Sequence, residues 1–401
     1  MAGYRDLLRT PGVARIIAAQ LTARFPNGMT SLAILLHVER QTGSYGAAGL
    51  VLAAASIGQA VSGPVTSRWM GVWGMRRVLT LTTAVCAGAI LVLALVPMHL
   101  VGYMVFGMIA GLSTPPVQSA VRTIYPKIVN SRQLTPLFSL DASLQEIIWI
   151  LAPVLITIVA TQAGTIPGLL MIVAILVGGG AWFILSPEVG RVRIPRSRRA
   201  FGKVLAKPVV LLATVTGFLL IGACAAVEAG VVATFGHGGL EAGLVLAIFS
   251  IGSLAGGLSF GHIPIGPWAM ARRFAVVAVG LSATVFSLSF WWIGASLFVA
   301  GIGIAPALAV MFAMTSASVK FSETAEAYGW IGTGQLIGAA AGSAVAGFLI
   351  DGVGEVGAYW AAAIFAILGA IVAATCVRGF PDLRNRDVSP IPDTEPVPVI
   401  T

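Results

Sequence analysis

The chain has 401 residues, of which 57% are hydrophobic and only 10% charged. A soluble domain of this size carries about 25% charged residues, so the composition excludes an ordinary water-soluble enzyme and points to the bilayer as solvent. The net charge of +9 is read as the basic marking of membrane loops, not as a nucleic-acid surface.

In chain order, residues 1–20 lack a short apolar core followed by a small-residue cleavage site. No cleavable signal peptide is expected, and the first helix serves as its own insertion signal. A span needs about 20 apolar residues, and charge-poor stretches then predict twelve helices. The first lies near 13–38 and the second in 41–67. Two occupy 78–121, broken at Pro97-Met98-His99, and the fifth begins near Leu134. The sixth follows a break near 164–167 and ends before Pro187. The second set lies in 208–235, 242–271, 274–319 (two helices), 327–350 and 356–377. Pro115-Pro116 and Pro306 are expected to bend the fourth and tenth helices. Cys86, Cys224 and Cys376 all sit in apolar runs without metal-ligand spacing. His37, His99 and His237 fall at one predicted boundary and His262 at the other, again with no metal-site pattern. Glycine-rich strings lack the strand-turn-helix context of a nucleotide loop. The reading is an all-α integral membrane protein, not an enzyme, with no cofactor or metal.

If the N-terminus is cytoplasmic, 22 of the 24 Lys and Arg residues fall in inside segments. The exceptions are Arg40, in the first outside loop, and Arg24, inside the first helix. The positive-inside rule then predicts a multi-pass protein of the plasma (cytoplasmic, or cell inner) membrane with both termini in the cytoplasm. The expected units are a six-helix bundle over 1–186, a basic linker over 187–207, a second bundle over 208–380 and a disordered, proline-rich tail over 381–401.

The two bundles read as copies. Residues 48–58, AGLVLAAASIG, match residues 242–252, AGLVLAIFSIG, at nine of eleven positions with an offset of 194. Gly63 and Gly257 continue the register. At an offset of 190, Ala110, Gly111, Pro116 and Gln145 pair with Ala300, Gly301, Pro306 and Gln335. Two parallel six-helix repeats are one of the known transporter plans.

Between the second and third helices stand Gly63, Ser67-Arg68, then Gly71 or Gly74, then Arg76-Arg77, echoed by Gly257, Gly261-His262 and Arg272-Arg273. With the repeat, these residues resemble the signature of the major facilitator superfamily, and the resemblance extends to about Phe380. Ser67 replaces that family's acidic residue, and the loop is longer. The likeness therefore supports the fold more than the signature's gating salt bridge, for which Gly63, Arg68, Arg76 and Arg77 are the candidates. Residues 24–29 (RFPNGM) and 42–45 (TGSY) resemble bacterial efflux-type permeases. Ala152-Pro153 stands at the place of the family's antiporter signature, without its glycines. Proton–drug antiport is an implication of that resemblance.

Arg24 lies about 16 Å into the first helix, where an unpaired charge costs about 3 kcal/mol or more. Gln20, Arg24, Asn27 and Ser31 form a polar stripe at helical spacing, with Pro26 and Gly28 beside it. The acids within reach are Asp141 and Glu146 on the fifth helix and Glu228 on the seventh. Asp141 and Gln145 share a face, whereas Glu146 is rotated away. Depth favours an Arg24–Glu146 pair, with Arg24–Asp141 second. The pair is either a static packing contact or a site that takes up a proton or meets substrate. Gln118 and Arg122 share a face near the inner end of the fourth helix, which marks Arg122 as an anchor or gate. Trp149 and Trp330 either line a pocket or pack.

The leading expectation is a monomeric, proton-coupled exporter of small organic compounds working by alternating access. Its partners are the substrate, protons and lipid, with no nucleic acid. The alternatives are an importer or uniporter of a polar metabolite such as a sugar or amino acid, and a non-transporting membrane sensor.

Overall fold

The computed structural model describes residues 4–197, 199–235, 240–260, 263–384 and 386–393, without the side chains at 4, 5, 45 and 132. His237, Gly261, His262 and the end of the tail, 394–401, lie outside the described residues.

The described chain is helical throughout. A short α1 (Tyr4–Arg9) precedes α2 (Val13–Arg24), a 3-10 turn (Phe25–Gly28) and α3 (Thr30–Thr42), which together make the first span. Pro26 stands in the turn and lacks the N–H that would continue the helix. Eleven further helices are long and apolar enough to cross a membrane, giving the twelve expected. In the first half these are α4 (Tyr45–Trp73), α5 (Met75–Leu95), α6 (Leu100–Leu112) continued by α7 (Val117–Ile128), α8 (Ser131–Gln162) and α9 (Thr165–Leu185). A short α10 (Pro187–Arg191) opens the linker. The second half holds α11 (Pro208–Phe235), α12 (Glu241–Phe260), α13 (Ala269–Ala283), α14 (Phe290–Ser318), α15 (Phe321–Val353) and α16 (Val356–Thr375).

Local chemistry sets several ends. The Ser44 hydroxyl caps α4 by accepting from the Ala47 N–H, and the Asn130 side chain caps α8 by accepting from the Gln133 N–H. Gly43, at φ 67°, closes α3 in the left-handed region where a side chain is strained. Pro115-Pro116 separates α6 from α7, whereas α14 runs unbroken through Pro306.

The repeat seen in the sequence is a packing device. Gly58 and Gly111 lie where α4 crosses α6, and Gly252 and Gly301 lie where α12 crosses α14. At each of the four, a Cβ would overlap the backbone of the facing helix. Small residues let helices approach closely in lipid. The same correspondence builds the contact between halves. Gly63 of α4 meets Gly329 of α15, and the Ser139 hydroxyl of α8 donates to the Gly257 carbonyl of α12 at 2.6 Å. Gly63 and Gly257 are repeat partners, and so are Ser139 and Gly329 at the offset of 190.

Basic residues gather at one end of the bundle, with the α4–α5, α7–α8 and α14–α15 turns, the linker and the tail. The extensive contacts between halves are α4–α15, α7–α15, α8–α12 and α8–α14. The side-chain and backbone contacts recorded across them run from this basic end to mid-helix. The tail, expected to be disordered, packs on the basic end as far as it is described. Leu383 and Val388 are buried. The Leu383 N–H donates to Ile265 O, Ile391 bridges to Val319 and Phe321, and Asp393 accepts from Ser322.

Candidate functional site

Three helices of the first half bring their polar residues to one point. The α2 helix presents Gln20 and Arg24, α7 presents Gln118, Arg122 and Tyr125, and α8 presents Asp141 and Gln145. Asp141 is the hub. Its Oδ1 accepts from Gln20 Nε2, Arg24 Nη1 and the Tyr125 hydroxyl, and its Oδ2 accepts from Arg122 Nε, each at 3.1 Å. Arg24 also donates to Gln20 Oε1 at 2.8 Å and to Gln145 Oε1. The Gln118 amide, with its oxygen turned to Arg122, accepts from both terminal nitrogens at 2.5 and 2.9 Å. Arg24 is 3% exposed, Arg122 2% and Asp141 0%. Two guanidinium groups thus share one carboxylate out of solvent, and the carboxylate is saturated with donors. Removing a partner from such a cluster strands buried charge.

The Arg24–Glu146 pair preferred from depth is not formed; Arg24 takes Asp141. Side chains on a helix tilt toward its N-terminus. The N-terminus of α2 is at the basic end, so the guanidinium drops back to the level of Gln20 and meets the shallower acid. Asp141 and Gln145, four apart, both face α2. Glu146 turns to the other half, where its Oε1 accepts from the Ser253 hydroxyl of α12 at 3.0 Å. Glu228 of α11 is exposed. Glu228 has no hydrogen-bond partner among the described residues. Asn27, in the 3-10 turn, and Ser31 are also exposed.

At the basic end the halves are tied by charge. Arg68 of α4 reaches Glu326 of α15 at 2.6 Å, and Glu326 also accepts from the Gly202 N–H of the linker at 2.8 Å. Glu323, one turn earlier, meets Arg199 at 3.1 Å and Lys207 at 2.7 Å. An ion pair between the halves therefore exists at this end although Ser67 replaces the acid of the signature; the carboxylate comes from α15 instead. Ser67 itself is buried, and its hydroxyl has no partner among the described residues. Arg76 donates to Ile184 O and Ser186 O within its own half, and Arg77 is exposed without a partner among the described residues. Trp330 packs on Phe201, whose ring also lies under Arg68, while Trp149 is exposed.

Tyr125, Ser253, Glu323, Glu326 and Phe312, which stacks on Arg122, were not singled out in the sequence. Glu323 and Glu326 carried a signal, as acids in the first turns of a span at the basic end. Tyr125, Ser253 and Phe312 carried none, because a lone Tyr, Ser or Phe in an apolar helix reads as packing.

A model of the Major Facilitator Superfamily matches residues 16–294 and 226–399. A bacterial homologue of the iron transporter ferroportin, solved in an outward-facing state, superposes with a TM-score of 0.72 at 13% identity, covering 90% of this chain and 98% of that one. The human organic anion transporter TETRAN does so with a TM-score of 0.70 at 14% identity, covering 90% and 100%. The proton:xylose symporter XylE, bound to 6-bromo-6-deoxy-D-glucose, gives 0.72 at 12% identity, covering 94% and 97%. These likenesses concern the fold. No curated protein matches the sequence.

Proposed function

We propose a function from one premise: the chain belongs to the major facilitator superfamily. It is accordingly a multi-pass membrane transporter and not an enzyme. Our reading is a proton-coupled exporter of small organic compounds in the cytoplasmic membrane, with its basic end and both termini in the cytoplasm. The orientation rests on the positive-inside rule.

One observation carries the coupling. Glu146 of the first half accepts from the Ser253 hydroxyl of the second at 3.0 Å. A carboxylate inside an apolar bundle can be neutralised by a proton. Neutralisation weakens its hydrogen bond across the interface, so proton binding biases one arrangement of the halves over the other in this reading. Asp141 is the packing hub in this reading, because four donors occupy its oxygens. Arg24, Gln20 and Gln145 keep α2 and α8 in register beside Glu146. Arg68 with Glu326 closes the basic end, where Gly63 allows the halves to touch. In this reading the closed cytoplasmic end makes the arrangement outward-facing, and substrate leaves on the side opposite the tail.

Export rests on the likeness of residues 24–29 and 42–45 to efflux-type permeases. A second reading, uptake of a polar metabolite, is favoured by the exposed amide of Asn27 and hydroxyl of Ser31. Accumulation of labelled drugs, dyes and sugars in an efflux-deficient bacterium separates the two. Export predicts lower accumulation, reversed both by a protonophore and by Glu146→Gln. Higher accumulation of any compound overturns export in favour of uptake.

A further inference from the structure

The Arg24–Asp141–Arg122 cluster belongs to the first half, yet it touches the second. The Arg122 guanidinium lies over the ring of Phe312 on α14, 3.4 Å from its centroid. Phe312 is 1% exposed and sits in an aromatic group that also spans the halves. Its centroid is 6.5 Å from Phe138 of α8 and 6.0 Å from Tyr328 of α15, and Phe138 and Tyr328 are 6.4 Å apart. Tyr125, which donates to Asp141, packs edge-on against the same Phe138.

Two arginines share one carboxylate, so the cluster retains positive charge. Asp141 is already saturated by its four donors, and the face of Arg122 turned to the second half is buried against the Phe312 ring. An aromatic face is the remaining means of stabilising a desolvated cation, through its quadrupole. When the basic end opens, α14 moves away from α7 and α8, and Arg122 loses this ring.

We propose that Phe312 is a positioning residue for alternation. It is the point at which the second half senses the buried charge cluster of the first, and its stacking on Arg122 holds the basic end closed. The proposal rests on the alternating-access reading but not on export or proton coupling. It stands if those fail.

The test measures a distance across the basic end by pulsed electron spin resonance. Spin labels are placed at Val72→Cys on α4 and Arg272→Cys on α13, both exposed, in full-length protein in lipid nanodiscs with the three native cysteines replaced by alanine. Phe312→Leu should move the ratio of long to short distances toward long by about tenfold, since a desolvated cation–π contact is worth at least that. Phe312→Tyr, which keeps the ring, should retain the parent distribution. In an Arg122→Gln background Phe312→Leu should add no further shift. Should Arg122→Gln fail to insert, Arg122→Lys keeps the charge without the planar stack, and the shift should shrink. A Phe312→Leu protein with the parent distribution overturns the proposal. So does a shift of undiminished size in the Arg122 background, which would assign Phe312 to the packing of Phe138 and Tyr328 alone.

Discussion

At Asp141, four donors within hydrogen-bond distance decide what the residue does. Asp141→Asn replaces an acceptor of four bonds by a group that must donate into a ring of donors. The expected loss is about 3 kcal/mol or more, read as a lower thermal midpoint in detergent. An unchanged midpoint would remove Asp141 from the hub. Arg24→Ala should leave the protein in the membrane and abolish transport, which labelled-substrate flux beside a surface-label insertion assay will check. Glu146 behaves differently in this account, because Gln in its place can still accept from Ser253. Glu146→Gln should therefore keep stability and lose the response of transport to an imposed pH gradient. A preserved response would move the coupling to Glu228. The polar stripe on the first helix was legible in the sequence, since polar residues at helical spacing in an apolar span are conspicuous. The partner of Arg24 was not, because a long side chain reaches an acid about one turn from its own depth.

At the level of elements, the two helix crossings α4–α6 and α12–α14 carry the repeat. The two sets of matched positions were visible as a pattern; their purpose, backbone meeting backbone at Gly58, Gly111, Gly252 and Gly301, required the helices in place. Gly111→Val or Gly301→Val should cost about 1–3 kcal/mol by overpacking, seen as reduced yield of folded protein and a lower melting midpoint. Gly347→Val, on a stretch of α15 where a Cβ meets nothing, is the control and should be neutral. The tail was read as disordered over 381–401, yet as far as it is described, to residue 393, it packs on the bundle. Its prolines and charges suggested disorder, while Leu383 and Val388, too few to register in composition, are buried on the bundle. Ending the chain at Phe380 removes both residues and the Ile391 and Asp393 contacts. It should lower the melting midpoint by several degrees, with the bundle itself still inserted.

Across the whole molecule, the halves are joined at the basic end by the Arg68–Glu326 ion pair, which in the proposed reading holds that end closed. Arg68→Glu sets two acids against each other at Glu326 and should increase modification of a cysteine at Ser139, which lies buried between the halves. Combining it with Glu326→Arg should restore protection. Failure of the double variant to restore it would reduce the ion pair to a surface contact, a common outcome for exposed pairs. Arg68 was a candidate from the signature, but Ser67 argued against an ion pair at that place. The acid had moved to another helix, far away in sequence, and no local pattern reports such an exchange. What the sequence by itself determined is the bilayer as solvent, the number of spans, the basic end and the two-copy plan. These follow from composition, hydrophobic length and internal identity, each readable along one dimension. Only the tertiary structure decided that Arg24 takes Asp141, that Glu146 turns to Ser253 of the other half, and that Glu326 pairs with Arg68. Such pairings depend on the rotation and depth of separate helices about their own axes. Helix packing sets both, and hydropathy is indifferent to them.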